Sequence, residues 1–312
     1  MLMISMCKMI TTKSNEALRR HLTIRLLFVY CRPMLTATDL SLPAGISLRS
    51  ELGMRGLRFA ALNGLLHELT DGESPGVIFG CDEAGCHGNF HAAAYQRICS
   101  QPEWAKRLTK VHTASKRSRP RANWQWKELD CACSSDALLM NVFCYPGILT
   151  SSLGGMLGIE TIATPEFGFK PRTPLHRDRR DATEIDMKIG NLLVEAKLTE
   201  SDFQLARYDL IHRYRDLEVV FDVSELPSRD GVFRGYQLIR GALAAYATGC
   251  SFCVLCDDRR PDLIDAWYSV LRAAHHLELR CRLKLLTWQE LASELPKALR
   301  AFLEKKYGIF AR

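Results

Sequence analysis

Asp186, Glu195 and Lys197 are the residues whose types and spacing could do chemistry. They lie in the segment TEIDMKIGNLLVEAKLTE, residues 183–200. Within it, Gly190-Asn191 is a two-residue turn signal between two runs rich in branched aliphatic residues, which is the commonest way of joining antiparallel strands. The segment therefore predicts a β-hairpin that carries one carboxylate on each strand.

The turn also sets the register of the hairpin. With its two residues as the loop, Met187 faces Val194, and the next pair outward is Asp186 with Glu195. Side chains alternate between the two faces of a strand, so one face is apolar and the other carries both carboxylates and Lys197. Like charges opposed at about 5 Å destabilise a sheet unless a cation lies between them.

A divalent metal ion is the obvious cation for this position. Mg²⁺ takes oxygen ligands, and Asp186, Glu195 and the Ala196 carbonyl could supply them. Lys197, two residues beyond Glu195 on the same face, could hold a water molecule or stabilise developing charge. The alternative interpretation is the solvated face of an edge hairpin, where pairs such as Glu184 with Lys197 contribute little.

Asp186 followed by Glu195-Ala196-Lys197 on the next strand resembles the PD-(D/E)XK nuclease superfamily, and most of the chain from about residue 50 is similar to bacterial restriction endonucleases. The resemblance extends to the flanks of the hairpin. A helix over residues 134–141 and a strand containing Glu166 precede it, and residues 198–200 follow the lysine.

This resemblance implies an α/β fold with a restriction-endonuclease-like core, in which helices flank a central mixed β-sheet in αβββαβ order. It implies phosphodiester hydrolysis with one or two Mg²⁺ ions held by the hairpin carboxylates and the Ala196 carbonyl. Lys197 would orient or help deprotonate the attacking water. Glu166, in preference to Asp136, is the acid expected to complete the site. Ile185 departs from the proline of the motif name, at a position that varies in the superfamily.

Two basic segments could contact a nucleic acid. Residues 101–130 contain eight Lys or Arg against three Asp or Glu, and residues 170–180 contain five against one, while the 312-residue chain carries a net charge of +7. Clustered cations suit a phosphate backbone, although a basic loop is also an ordinary solubility feature. The candidates are Lys116, Arg117, Arg119, Arg121, Arg172, Arg179 and Arg180, together with Gln237 and Arg240 on a later helix.

Periodicity predicts helices at about 50–70, 91–108, 134–142, 201–214 and 231–248 and from residues 261 and 287. It predicts strands at about 159–169, 183–189, 192–198, 217–223, 252–255 and 281–286. We expect residues 1–33 to be an extension outside the fold, 34–130 a mainly helical module with the first basic segment, and 131–312 the nuclease-like domain.

The twelve cysteines are expected to be free thiols in a cytoplasmic protein, because no signal peptide or transmembrane span is visible. Cys81, Cys86, His87 and His91 form a C-x4-C-H-x3-H pattern that could bind zinc and staple the N-terminal module. Adjacent Cys86 and His87 rarely reach one ion, so thiols without a metal are the alternative. The cysteines within residues 250–256 alternate along a predicted strand, which favours core packing.

With 47% apolar residues the chain can bury a full core. We expect a Mg²⁺-dependent endonuclease that acts on double-stranded DNA, does not involve a membrane, and forms a homodimer by analogy, since cutting both strands requires two sites. Two alternatives stay open. One is a catalytically inactive nucleic-acid-binding protein of the same fold, stapled by zinc, and the other is a structural domain whose acidic face is solvated.

Overall fold

The hairpin lies in the central sheet of a computed structural model that describes residues 42–70, 76–111, 127–150, 152–159 and 163–312. Within the described residues, the segment Pro43–Arg312 forms one compact unit. Of the sequence predictions, the extension over residues 1–33 and the basic residues 116–121 lie outside the described residues.

The strands are β1 (His67–Leu69), β2 (Val77–Phe79), β3 (Glu166–Phe169), β4 (Ile185–Ile189), β5 (Leu192–Ala196), β6 (Leu205–Arg207), β7 (Ser228–Arg229), β8 (Val232–Arg234), β9 (Ser251–Cys256) and β10 (Leu283–Thr287). The α-helices are α1 (Ala44–Asn63), α2 (Ala92–Ser100), α3 (Pro102–Ala105), α4 (Ser135–Phe143), α5 (Leu153–Leu157), α6 (Tyr208–Ile211), α7 (Leu217–Val220), α8 (Tyr236–Thr248), α9 (Pro261–Ala273), α10 (Leu277–Arg280), α11 (Trp288–Ser293) and α12 (Lys297–Tyr307).

The central sheet has the strand order β10-β9-β5-β4-β3. Its β3, β4 and β5 strands are antiparallel, whereas β5, β9 and β10 run parallel. Met187 pairs with Val194 and Ile189 with Leu192, which confirms the predicted hairpin register. The sheet is therefore mixed, and the hairpin supplies two of its inner strands.

Helices cover both faces of this sheet. Along β9, Phe252 and Val254 belong to a core shared with α8 and α9, whereas Cys253 and Leu255 belong to a second core shared with α4, α11 and α12. The alternation follows from the period of two along a strand. Consequently β5, between β4 and β9, is buried on both faces, and its polar residues lie in the interior.

The segment between the hairpin and α8 differs from the sequence prediction. The helix predicted from 201 to 214 is wrong, because Gln204 has a φ of 65°, outside the right-handed helical region, and the chain continues into β6. The strand predicted at 217–223 is also wrong, because residues 217–220 form the short helix α7. A brief apolar run is compatible with either a strand or a buried helix. Gly235, with a φ of 74°, divides the helix predicted at 231–248 into β8 and α8.

Strands β6, β8 and β7 form a small separate sheet in this inserted segment. Other predictions are confirmed, among them the end of α8 at Gly249, the helix that starts at Pro261 and the Thr287–Glu290 capping box of α11. No helix within the described residues is long and apolar enough to cross a bilayer.

Candidate active site

The hairpin strands position three of the predicted catalytic residues. Asp186 lies on β4, Glu195 on β5, and Lys197 immediately after β5. Glu195 is 1% exposed and Lys197 5% exposed, because α8 covers this face of the inner strand. The solvated edge-hairpin interpretation is therefore wrong for β5, and burial of two charged groups requires specific partners.

Asp186 caps the end of the hairpin ladder. Its Oδ2 accepts a hydrogen bond of 2.8 Å from the Ala196 backbone N–H, and its Oδ1 makes none within the described residues. Burial, and then the negative charges of Glu195 and Asp136, raise the pKa of Asp186 well above its ordinary value. This carboxylate thus lies where additional positive charge would stabilise its ionised form.

Glu195 has partners on both of its oxygens. Its Oε1 accepts hydrogen bonds of 2.6 Å from Lys197 Nζ and 2.6 Å from Gln237 Nε2, and its Oε2 lies 3.8 Å from Arg240 Nη2. Gln237 and Arg240 occupy successive turns of α8 and point to the sheet. The structure therefore brings both residues to the carboxylate, where they fix its orientation, and Arg240 is only 5% exposed.

Lys197 is held at both its main chain and its side chain. Its backbone N–H donates to Leu255 O at 2.8 Å, and its carbonyl accepts from Trp288 Nε1 at 3.0 Å. Burial alone would lower the pKa of Lys197, but the carboxylates of Glu195 and Asp186 outweigh that effect and raise the pKa above its ordinary value. Lys197 is consequently a charged ammonium at neutral pH.

The two acids considered for completing the site lie in different surroundings. Glu166 is opposite Lys188 on β4, and its side chain is 60% exposed with an oxygen 3.8 Å from Lys188 Nζ. Asp136, in the first turn of α4, is buried, and its charge contributes to the raised pKa of Asp186. The structure thus brings Asp136, rather than Glu166, into the electrostatic surroundings of the hairpin pair.

Two cations hold Asp136 in its ionised form. Its Oδ2 accepts bonds from Lys110 Nζ at 2.7 Å and from Arg107 Nη2 at 2.9 Å. Burial alone would raise the pKa of Asp136, yet these two charges lower it below its ordinary value. Sequence reasoning missed Arg107 and Lys110 because they lie 29 and 26 residues before Asp136, and no local pattern reports such a pairing.

Glu200 links the start of α4 to the end of β5 and was also missed as a site residue. It accepts hydrogen bonds of 2.5 Å from Ser135 Oγ and 2.6 Å from the Leu198 N–H. Its charge also helps to raise the pKa of Lys197. The spacing of Glu200 three residues after the lysine was visible in the sequence, but its partner on α4 was not.

The residues of the C-x4-C-H-x3-H pattern make other contacts. His87 Nε2 lies 3.1 Å from Asp130 Oδ1, and His87 Nδ1 accepts from the Asn89 N–H at 3.1 Å. His91 Nδ1 caps α2, and Cys81 Sγ lies 3.2 Å from a tyrosine hydroxyl. No three His, Cys, Asp or Glu side chains converge on a metal position in the part of the chain that the structure describes.

The hairpin offers oxygen ligands for a hard cation, and two of them are carboxylates. Asp186 Oδ1 has no hydrogen bond within the described residues, and burial, followed by the charges of Glu195 and Asp136, raises the pKa of Asp186. The adjoining Glu195 Oε2 and the Ala196 carbonyl are oxygen donors of the same class. These residues fit Mg²⁺, which usually takes one or two carboxylates and completes its shell with water and substrate phosphate.

The second basic segment lies on the surface. Arg172, Arg179 and Arg180 are exposed in the loop that joins β3 to β4. That loop leads directly into the strand that carries Asp186. Of the first basic segment, residues 101–111 and 127–130 are described, and Arg107 and Lys110 in the first stretch bind Asp136.

A mixed sheet with a carboxylate pair and a lysine at its centre is compatible with a restriction-endonuclease-like core. Residues 70–308 match the family described as Restriction Endonuclease associating with ARP. Because the match covers most of the chain, the protein belongs to this family of restriction-endonuclease-like nucleases. No curated protein and no solved structure matches the chain.

Proposed function

We propose that this protein is a Mg²⁺-dependent endonuclease of the PD-(D/E)XK type that hydrolyses phosphodiester bonds in DNA. The observation that carries the proposal is the cluster of half-buried Asp186 with buried Glu195 and Lys197 in the central sheet. The succession of α4, then β3, β4 and β5, then α8 and β9 supports the same superfamily. DNA is the substrate favoured by the restriction-endonuclease family to which the chain belongs.

Asp186, Glu195 and the Ala196 carbonyl would hold one or two Mg²⁺ ions. When bound, Mg²⁺ lowers the pKa of a water ligand and neutralises charge on the scissile phosphate. We assign the third acidic position to Asp136 rather than Glu166, because Asp136 is kept ionised beside Asp186. The three acids do not converge on one point, so Asp136 would add charge to the site without direct ligation.

Lys197 would position the attacking water as a hydrogen-bond donor. A raised pKa keeps its ammonium charged at neutral pH, so the residue is a poor base and a good donor. Gln237 and Arg240 would keep Glu195 in the orientation needed for a ligand, since both contact that carboxylate. These side chains therefore supply orientation and charge, and a homodimer would supply the second site for the opposite strand.

Cleavage of supercoiled plasmid across a Mg²⁺ titration tests this proposal. The wild type is expected to cut only with Mg²⁺, Asp136→Asn to cut much more slowly, and Glu166→Gln to cut like the wild type, because Glu166 is exposed and paired with Lys188. Glu83→Gln, which removes another exposed carboxylate, is the matched control. Salt-sensitive DNA binding by a wild type that never cuts would instead support an inactive nucleic-acid-binding protein.

A further inference from the structure

Two basic segments that are distant in sequence form one surface. Leu175 and Tyr214 make an antiparallel bridge. On either side of it, the His176 N–H donates to Arg213 O at 2.9 Å, and the Arg215 N–H donates to Pro174 O at 3.3 Å. The β3–β4 loop and the segment after α6 are thus joined through their backbones.

The cations on this surface are exposed and lack acidic partners. We call the set the arginine surface, and its members are Arg172, Arg177, Arg179, Arg180 and Arg213. None of the five makes a salt bridge with a carboxylate in the described parts of the chain, whereas neighbouring Arg215 pairs with Asp216 at 2.9 Å. Unpaired like charges in a small area repel one another, so an anionic partner would stabilise them.

The backbone at two of these arginines is strained. Arg172 has a φ of 55° and Arg177 a φ of 59°, both in the left-handed region. That conformation costs a non-glycine residue roughly 1–2 kcal/mol, and glycine would adopt it freely. Arginine at both positions therefore places a positive charge on this surface at a cost in backbone energy. Strain of this kind is concentrated at functional sites.

Two buried hydrogen bonds, a cation–π contact and an ion pair connect the loop of the arginine surface to the catalytic cluster. Asp181, in the same loop, accepts a bond of 2.6 Å from the Tyr214 hydroxyl, and that hydroxyl lies 3.0 Å from the Tyr236 hydroxyl. The Tyr236 ring is 5.8 Å from the guanidinium of Arg240, and Arg240 faces Glu195. The surface and the catalytic carboxylate are therefore connected through contacting side chains of one compact unit.

We propose that the arginine surface binds the phosphate backbone of duplex DNA on one side of the scissile bond. This inference rests on the proposed function and assigns the positioning contacts of the same site. Guanidinium groups match phosphate in geometry and retain their charge under all ordinary conditions. Backbone contacts of this kind fix the register of a duplex without reading its sequence.

Equilibrium binding of a fluorescein-labelled 30-base-pair duplex, measured with Ca²⁺ in place of Mg²⁺ over a range of salt concentrations, tests the proposal. The variant carries Arg177→Ala, Arg179→Ala and Arg213→Ala. A matched control carries Arg272→Ala, Lys297→Ala and Lys305→Ala, which remove three exposed charges from α9 and α12. Each lost phosphate contact reduces the slope of log K against log salt by about 0.9, so the variant should lose about 2.7 and the control nothing.

Arg172→Gly with Arg177→Gly separates binding from folding. Glycine relieves the strained backbone, so this variant should melt no lower than the wild type while binding the duplex more weakly. A lower melting temperature with unchanged binding would give the two arginines a structural role and overturn the inference.

Cleavage and binding measured together distinguish failure of the arginine surface from failure of the proposed function. A wild type that cuts DNA with Mg²⁺, beside an alanine variant whose binding and salt slope equal those of the control, would overturn this surface and leave the proposed function intact. A wild type that neither cuts DNA nor binds it with a salt-dependent affinity would overturn both.

Discussion

Replacing Asp186 by Asn is expected to make the protein more stable and inactive. Asparagine keeps an oxygen that can accept the Ala196 N–H bond of 2.8 Å, and it removes the negative charge that faces Glu195. The native carboxylate lies where burial and neighbouring acids oppose its ionisation. A site that sacrifices stability for function responds in this way when its charged group is neutralised.

The structure indicates how large the gain in stability of Asp186→Asn should be and how it should depend on pH. Cross-strand side-chain pairs are worth roughly 0.2–1 kcal/mol, and we take the upper end of that range for the destabilising pair of Asp186 and Glu195 because Glu195 is buried. A gain of about 1 kcal/mol raises the melting temperature by roughly 2–4 °C for a domain of this size. Because the folded-state pKa of Asp186 is raised, unfolded Asp186 loses its proton first as pH rises above 3.8. The wild type therefore loses stability toward neutral pH, and the advantage of Asn grows in the same direction.

Thermal unfolding in EDTA at about pH 4 and about pH 8 measures this difference, with Glu83→Gln as the control for loss of an exposed carboxylate. Added Mg²⁺ should then raise the melting temperature of the wild type, because ligand at one hundred times its Kd adds about 2.7 kcal/mol to the free energy of unfolding. The melting temperature of Asp186→Asn should not change. If Asp186→Asn were less stable than the wild type at pH 8, the Asp186 carboxylate would not be destabilising. Equal stabilisation of both proteins by Mg²⁺ would exclude Asp186 as a metal ligand.

Three further substitutions test the surroundings of the pair. Lys197→Met should lower the free energy of unfolding in urea by about 3 kcal/mol, because it removes the cation hydrogen-bonded to buried Glu195 and leaves only Arg240 at 3.8 Å, and adding Glu195→Gln should recover part of that loss. Gln237→Ala should raise the Mg²⁺ concentration needed for half-maximal cleavage by about tenfold, since it frees Glu195 to rotate; an unchanged Mg²⁺ dependence would contradict the contact. Gly241→Ala should destabilise the fold by about 1–3 kcal/mol in the same urea assay, because a Cβ there would overlap the ring of Phe252, and a neutral effect would show that the ring moves away.

The hairpin could be predicted from the sequence because all the information is local. The turn at Gly190-Asn191 sets the register, and alternation assigns Asp186, Glu195 and Lys197 to one face. The structure agrees with this register at the three pairs from Met187–Val194 to Ile189–Leu192, next to the turn. Local rules failed where the chain makes an insertion, since nothing in the pattern at Ser201 shows that Gln204 leaves the helical region.

The partners of the hairpin residues could not be predicted because they come from distant segments. Asp136 reaches the site from α4, and Arg107 reaches Asp136 from the turn after α3. Gln237 was placed on the correct helix, but its hydrogen bond to Glu195 crosses 42 residues of sequence. Packing of helices on the sheet decides such contacts, and a single sequence does not show it.

Single-turnover cleavage of a labelled DNA duplex, with enzyme in excess and Mg²⁺ saturating, decides whether the hairpin is an active site. The wild type should cut the duplex, and Asp186→Asn should bind it with similar affinity but cut it at least about 100-fold more slowly. Cleavage at the wild-type rate by Asp186→Asn would contradict the assignment of the hairpin as the active site.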